Sequence, residues 1–297
     1  MTTMLYSNRP AKAVQRRMLI ETCRRLSAIA PLTSYQYVGF GGLEFNDFVD
    51  AHNALGITKM TSIERNDGLV HRIEFNKPYA GMTILMGEAR DQLPLVDWRV
   101  PAIVWLDYMD PLSRDVLRDV EYVVRTASPG TFVAVTVQAG LGENLSSRVQ
   151  SLKNNLDDLA PETLATTDVE GWGVADIQQE ILASQVDIYS KEAHGSTFHQ
   201  VLDIGYQDVA RMTTWGGVIS SATTARSIEQ CRFDDLSFVR ERGRAGLRIK
   251  VPDLTQKEWK FLEHAIGNGR DPSFTRPKGI DKSDVAAFAD VYRYRAS

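Results

Sequence analysis

The sequence has few of the residues that build disulfides or metal sites. Its two cysteines, Cys23 and Cys231, lie far apart, and its five histidines are scattered along the chain. This distribution favours neither a disulfide framework nor a metal site, and it is typical of a reducing compartment. No run of about 18 apolar residues occurs and no secretion signal opens the chain, so the sequence predicts no membrane span and a cytoplasmic location.

The net charge of the chain is too small to attract a polyanion, but its first helical segment is basic. The 297 residues are 43% hydrophobic with a net charge of −4, which suits one large domain or a domain with an extension. Within residues 1–30 we expect an amphipathic helix whose polar side holds the cations Arg9, Lys12, Arg16, Arg17, Arg24 and Arg25. Two interpretations are open: a solvated cover for the sheet edge, or a surface that binds nucleic acid or another acidic partner.

The segment Tyr37–Phe45 is the centre of the predicted fold. A short apolar run enters it, three glycines occupy it, and apolar residues leave it at helical spacing. This pattern predicts a strand, a tight turn and a helix. Glycines let a ligand approach the backbone closely, and a helix N-terminus offers unpaired N–H groups. The segment therefore predicts a nucleotide-binding turn, although turns of this kind also serve packing alone.

Acidic residues follow the next predicted strands. Glu64, Glu88 and Asp107 stand at the ends of the second, third and fourth predicted strands. Glu64 lies 23 positions beyond Gly41, close to the interval of roughly 20 at which α/β nucleotide folds place a ribose-binding carboxylate. With a fifth strand at 131–137, the alternation of strands and helices predicts a doubly wound parallel α/β sheet. Its ligand belongs at the carboxyl ends of the strands, where these acids meet.

The order of these motifs resembles that of the class I S-adenosylmethionine-dependent methyltransferases. The matching pieces are Val38-Gly39-Phe40-Gly41, Ile63-Glu64, Gly87-Glu88-Ala89, Leu106-Asp107 and Pro129-Gly130-Thr131. The resemblance implies a Rossmann-like methyltransferase sheet, S-adenosylmethionine as the cofactor, and methyl transfer to a substrate that the motifs do not identify. It also implies a set of cofactor-binding residues, with Glu64 on the ribose and Glu88 near the adenine: Gly39, Phe40, Gly41, Glu64 and Glu88.

Two positions depart from the pattern of that superfamily. Tyr37 stands where an acid usually begins the glycine motif, and Leu43 stands at the position of the third glycine. These departures keep a second function open. In this alternative, a degenerate methyltransferase fold serves as a binding or scaffolding subunit of a larger assembly.

The segment after the fourth strand holds the candidate catalytic residues. Methyl transfer requires alignment of the two reactants and, for a weak nucleophile, removal of a proton. We expect Asp107 to position the substrate or the cofactor amine, Asp110 to accept the substrate proton, and Tyr108 to stack on a substrate. The alternative is that Asp107 and Asp110 only cap the next helix and complement its dipole.

The rest of the chain is expected to extend this domain. Residues 31–225 form the methyltransferase-like domain, in which 139–196 is a helical insertion that closes over the active site. The two strands that follow it predict a terminal antiparallel hairpin. Residues 226–297 predict a small α+β extension, with strands at 236–240 and 247–251 and two helices.

Overall fold

The computed structural model describes residues 9–195, 197–268 and 276–295. Strands β1 to β8 are Gln36–Gly39, Lys59–Glu64, Thr83–Met86, Ala102–Asp107, Phe132–Gln138, His199–Gln207, Arg211–Val218 and Leu247–Arg248. Helices α1 to α10 are Pro10–Arg25, Asn46–Leu55, Val70–Asn76, Ala89–Gln92, Arg114–Thr126, Leu145–Leu156, Gly173–His194, Ala225–Gln230, Gln256–Gly267 and Lys282–Val291. Parts of the predicted terminal regions, residues 1–8 and 296–297, lie outside the described residues.

The described strands form one sheet in the order β3-β2-β1-β4-β5-β7-β6-β8. Strands β1 to β5 run parallel, β7 is antiparallel to both β5 and β6, and β8 is parallel to β6. This order confirms the predicted doubly wound sheet and its terminal antiparallel hairpin. The central strand β4 is buried along Ala102–Leu106, because apolar clusters cover both faces of the sheet there.

The glycine turn begins where β1 ends, at the centre of the sheet. Gly39 is paired with Ser62 of β2 and Trp105 of β4. A Cβ atom at Gly39 would lie 3.0 Å from the carbonyl oxygen of Trp105, so a side chain there would crowd the neighbouring strand. Gly42 has a φ of 59°, and α2 begins at Asn46. The turn therefore sits at the carboxyl edge of the sheet, beside the ends of β2 and β4.

Helix α1 packs against α2 and β6. The turn between β6 and β7 holds its N-terminus, because the carboxylate of Asp208 accepts hydrogen bonds from the N–H groups of Ala11 (3.0 Å) and Lys12 (2.9 Å). The expectation of a solvated basic face is wrong for Lys12, whose side chain is only 6% exposed. Lys12 lies on the side of the helix that faces the sheet, where oxygen atoms accept hydrogen bonds from its ammonium group.

Three further cations of α1 are bound within the chain. Arg24 donates to Glu21 at 2.9 Å, and Arg25 lies 3.6 Å from Asp235. Arg17 donates to backbone carbonyl oxygens that follow α10. These contacts engage much of the positive charge that the sequence places on this helix, and binding of nucleic acid by it stays a prediction.

The segment 139–196 is a packed part of the fold. It contains α6 and α7, and α7 lies along α5. Gln178 of α7 fixes this contact, because it accepts a hydrogen bond from the N–H of Leu112 and donates to the carbonyl oxygen of Gln138, both at 3.1 Å. None of the described residues of this segment lines the cavity at the strand ends. The structure therefore does not place it as the expected cover of the active site.

The C-terminal extension differs from its predicted form at one strand. Within 247–251 the strand is short, Leu247–Arg248, and it pairs with β6. The predicted strand at 236–240 is wrong, since this segment has no strand structure. Leu236, Phe238 and Val239 are all buried, so their apolar pattern reflects the burial of an irregular segment. No described helix has the length and apolarity that crossing a membrane requires.

Candidate active site

The carboxyl ends of the parallel strands border a cavity of about 390 Å³. Helix α1, the glycine turn and the first turns of α5 complete its wall. The predicted site residues that line it are Phe40, Gly41, Glu64, Glu88, Asp107, Tyr108 and Asp110. Gly39 does not line it but packs against the backbone of Trp105. The carboxyl ends of the strands therefore bring together all the predicted site residues except Gly39.

Acidic side chains dominate the wall of this cavity. The described acids that line it are Glu44, Asp47, Glu64, Glu88, Asp107, Asp110, Asp115 and Asp119, against the bases Lys12, Arg16 and Arg65. Burial raises the pKa of three of the acids, Asp47, Glu64 and Asp119. A wall with this excess of carboxylates favours a ligand that carries positive charge.

Glu64 anchors the glycine turn to the end of β2. Its Oε1 atom accepts hydrogen bonds from the N–H of Gly42 (2.9 Å) and the hydroxyl of Ser62 (2.6 Å). The N–H of Gly41 donates to the same hydroxyl at 2.9 Å. Burial raises the pKa of Glu64, and these hydrogen bonds oppose the shift. Because both bonds to Glu64 end on Oε1, its Oε2 atom can accept a hydrogen bond from a ligand.

Asp107 is held in the cavity by a lysine that comes from the far N-terminal helix. The Nζ atom of Lys12 lies 2.8 Å from Oδ1 and 2.7 Å from Oδ2 of Asp107, so both carboxylate oxygens are engaged. The third proton of this ammonium goes to the hydroxyl of Tyr206 at 3.0 Å. The indole ring of Trp105 lies 4.6 Å from the same nitrogen. Burial lowers the pKa of Lys12, and the charge of Asp107 opposes this shift.

Asp110 stands at the rim of the cavity. Its side chain is 65% exposed and lies 3.5 Å from the guanidinium of Arg65. Ser113 caps α5, because its hydroxyl accepts a hydrogen bond from the N–H of Val116 at 3.3 Å. Ser113 therefore caps this helix in place of Asp107 and Asp110, and the suggestion that the two acids complement its dipole stays a prediction.

Tyr108 is fixed at both its ring and its hydroxyl. The hydroxyl donates to Asp119 Oδ2 at 2.7 Å, and the ring meets that of Phe40 edge-on at 5.1 Å between centroids. Burial and the neighbouring Asp119 raise the pKa of Tyr108. The other oxygen of Asp119, Oδ1, is buried without a hydrogen-bond partner among the described residues. Stacking of Tyr108 on a substrate stays a prediction.

Arg16 and Asp47 face the cavity from α1 and α2. The hydroxyl of Tyr37 donates to Asp47 Oδ2 at 2.7 Å, and burial raises the pKa of Asp47 to about 6. The side chain of Arg16 is 15% exposed and lies 3.8 Å from Asp50. Its Nε atom is buried and has no hydrogen-bond partner among the described residues.

Sequence reasoning missed Lys12, Arg16 and Asp47 as site residues. One signal existed for Lys12, which is seven positions before the buried Leu19 and therefore on the same side of α1. Arg16 lies one turn after Lys12 and shares that side. Asp47 gave no signal, because an acid in the first turn of a helix is common for electrostatic reasons alone.

Solved structures of methyltransferases resemble the chain at low sequence identity. The O-methyltransferase TomG from Streptomyces achromogenes, solved with S-adenosylmethionine, is 16% identical; the match covers 69% of this chain and 80% of TomG, with a TM-score of 0.41. The plantazolicin methyltransferase BamL, solved with S-adenosylhomocysteine and a triazolic desmethylPZN analogue, is 12% identical. That match covers 70% of this chain and 86% of BamL, with a TM-score of 0.46.

A protein-family match covers almost the entire chain. No curated protein sequence matches it. The family model described as "Putative O-methyltransferase" matches residues 4–296, a range that includes α1, the glycine turn, the strand-end acids and the C-terminal extension. The chain therefore belongs to this O-methyltransferase family.

Proposed function

We propose that the protein transfers a methyl group from S-adenosylmethionine to an oxygen atom of an acceptor molecule. The observation that carries the proposal is the acidic cavity at the strand ends of a chain that belongs to an O-methyltransferase family. The cofactor is a sulfonium cation that supplies an electrophilic methyl group. A wall rich in carboxylates suits that positive charge.

The residues around the cavity fit the other parts of this cofactor. Glu64 has an oxygen, Oε2, that can accept a hydrogen bond from a ribose hydroxyl, while Oε1 holds the turn. Glu88 precedes α4 at the next strand end, where the methyltransferase resemblance implies the adenine. The buried Oδ1 atom of Asp119 has no partner among the described residues and can accept a hydrogen bond from a ligand.

Asp107 is the carboxylate that we propose accepts the proton of the acceptor hydroxyl. Lys12 donates hydrogen bonds to both of its oxygens, and these bonds fix the carboxylate at the cavity wall. As the hydroxyl oxygen bonds to the methyl carbon, the S–CH3 bond of the sulfonium would break and its electron pair would stay on sulfur, leaving S-adenosylhomocysteine. The oxygen would become positively charged and would release its proton readily. A positioned carboxylate is then a sufficient base, and Lys12 acts as a positioning residue.

Asp110 is the second candidate for this base, as the sequence predicts. Its side chain is 65% exposed and shares its charge with Arg65. A base acts best when the acceptor hydroxyl is held within hydrogen-bond reach and away from water, which favours the more buried Asp107. The role of Asp110 stays a prediction, and substitution of each aspartate separates the two.

The proposal is tested first by cofactor binding. Calorimetry on the full chain measures the dissociation constants of S-adenosylmethionine and S-adenosylhomocysteine. Incubation with cofactor labelled on its methyl group and a panel of hydroxyl compounds then identifies an acceptor. If neither nucleoside binds, the proposal fails and the alternative of a binding or scaffolding subunit, which needs no cofactor, is favoured.

We expect Glu64→Ala to weaken the binding of S-adenosylhomocysteine by about 1.5–3 kcal/mol, roughly a 10- to 150-fold rise in Kd. The substitution removes the charged acceptor for the ribose and also the anchor of Gly42 and Ser62. Glu64→Gln retains an oxygen for the turn and should lose less affinity. Calorimetry measures both variants.

The matched control for this prediction is Glu74→Gln. Glu74 is an exposed acid that pairs with Lys77 and does not line the cavity. Its substitution should leave the affinity unchanged. An unchanged affinity in Glu64→Ala, with a normal melting temperature, would refute the assignment of Glu64 to the ribose.

A further inference from the structure

Two partly buried, opposite charges, Arg16 and Asp47, line the cavity between α1 and α2 without forming an ion pair with each other. Arg16 has a side chain that is 15% exposed, and its one ion pair within the described residues, with Asp50, is long at 3.8 Å. Its Nε atom is buried and donates no hydrogen bond to a described residue. The Asp47 carboxylate accepts hydrogen bonds from the hydroxyl of Tyr37 and from its own backbone N–H, and its two oxygens have lone pairs for a further donor. Charges that are partly removed from water gain from a partner, so this arrangement fits a ligand that carries both signs of charge.

We propose that Asp47 and Arg16 bind the α-amino acid group of the cofactor, with Asp47 accepting from its ammonium and Arg16 donating to its carboxylate. This inference rests on the proposed function and adds two residues to the cofactor site. It gives α1 a role in the site itself. The planar guanidinium of Arg16 has five donors and suits a carboxylate, whereas the short carboxylate of Asp47 suits an ammonium.

Helix α1 is anchored with Arg16 on the side that faces the cavity. Lys12 and Arg16 are four positions apart, so their side chains leave the helix on the same side. Lys12 binds Asp107 of β4, and Asp208 holds the N-terminus of the helix. With these two anchors in place, Arg16 reaches the cavity wall without a rearrangement of the helix.

The charges around Asp47 make this contact sensitive to pH. Burial raises the pKa of Asp47 to about 6, while the hydroxyl of Tyr37 and the charge of Arg16 lower it and Asp107 raises it. Lys12 also lies within reach of the charge of Asp47. An ammonium ligand prefers the ionised carboxylate. Its binding should therefore be strongest above this pKa and weaken as the pH falls through about 6.

The test compares two nucleosides that differ in this group alone. S-Adenosylhomocysteine carries the α-amino acid group, whereas 5′-methylthioadenosine has only a methyl group on its sulfur. Calorimetry measures both dissociation constants for the unmodified protein, for Arg16→Met and for Asp47→Asn. We expect each substitution to weaken S-adenosylhomocysteine about 10- to 100-fold and 5′-methylthioadenosine less than about twofold.

Two further comparisons assign each contact. Arg24→Met is the matched control, because Arg24 lies on the same helix, pairs with Glu21 and does not line the cavity. It should change neither affinity. The deaminated analogue of S-adenosylhomocysteine retains the carboxylate only, so it should lose affinity in Arg16→Met and keep it in Asp47→Asn.

The unmodified protein provides a test that does not depend on the folding of a variant. Below pH 6 we expect the Kd of S-adenosylhomocysteine to rise by about tenfold per pH unit, since one proton must leave Asp47 for the ammonium to bind. The Kd of 5′-methylthioadenosine should change much less. Protonation of Glu64 would weaken its contact with the ribose, but both ligands contain the ribose. This effect should therefore change both dissociation constants alike.

The possible results separate the inference from the proposed function. The inference is supported if the variants and low pH weaken the affinity for S-adenosylhomocysteine but not that for 5′-methylthioadenosine. Equal losses of affinity for the two nucleosides, or the same dependence of both dissociation constants on pH, would overturn the inference while leaving the cofactor assignment intact. Failure of the unmodified protein to bind either nucleoside would overturn the proposed function and the inference together.

Discussion

Asp107→Asn is expected to lower the rate of methyl transfer about 10²- to 10⁴-fold, the range of a general-base contribution. Asp107 lines the cavity with a side chain that is 26% exposed, and Lys12 holds both of its oxygens. Asparagine preserves the shape of the side chain, but its amide cannot accept the proton of an acceptor hydroxyl. The measurement is single-turnover transfer from labelled cofactor to an acceptor identified from the panel of hydroxyl compounds.

The affinity for S-adenosylhomocysteine separates a catalytic loss from a damaged site. If Asp107 acts on the acceptor, the affinity of Asp107→Asn for S-adenosylhomocysteine should stay within about threefold of that of the unmodified protein. If Asp107 contacts the cofactor, the loss of a charged contact would weaken this affinity far more. A parallel loss of cofactor binding would show that Asp107 contacts the cofactor instead. That result would agree with the other role the sequence predicts for it, positioning of the cofactor amine.

Asp110→Asn is the comparison that identifies the base. With Asp107 as the base, this variant should retain turnover within about tenfold, since Asp110 is a largely exposed carboxylate at the rim. A large loss confined to Asp110→Asn would place the base at the rim. Normal turnover in both variants would mean that neither aspartate acts as a base and that catalysis depends on alignment of the two reactants alone.

Local patterns were sufficient to predict the sheet and the meeting of the strand-end acids at one cavity. Parallel strands buried on both faces are continuous apolar runs, as in β4, and glycines mark the turn that leaves β1. Once the alternation of strands and helices is recognised, the acids that follow the strands must meet at one edge of the sheet. Glu64, Glu88 and Asp107 do line one cavity, and the family match confirms the methyltransferase resemblance.

The residues that the sequence could not place depend on contacts between distant segments. The helical pattern places Lys12 on the apolar side of α1, but only the packing of α1 on β6 brings it to Asp107, 95 positions away. The same packing brings Arg16 to the cavity. Tyr37 occupies the position where an acid is usual in the superfamily, but its hydroxyl reaches Asp47 on the next helix. No rule of local spacing predicts such a contact.

The energetic coupling of Lys12 and Asp107 is the second large effect that we expect. Removing one member of a buried ion pair leaves the other charge without a partner, which destabilises a protein by about 3–5 kcal/mol. The Lys12 side chain is 6% exposed and that of Asp107 is 26% exposed, so the ammonium is the charge that water reaches less. Asp107→Asn should therefore lower the free energy of unfolding more than Lys12→Met does.

Removal of both charges tests whether the pair acts as a unit. The double variant Lys12→Met/Asp107→Asn leaves no buried charge unpaired, so it should be more stable than Asp107→Asn alone, as measured by urea denaturation. The exposed pair Arg24–Glu21 on the same helix serves as the control, and its removal should change the stability by less than about 1 kcal/mol.

Additive losses in the two single variants would mean that Lys12 merely anchors α1. A coupled loss places the N-terminal helix and the strand-end carboxylate in one energetic unit, so that undocking of α1 would remove Lys12 and Arg16 from the active site together.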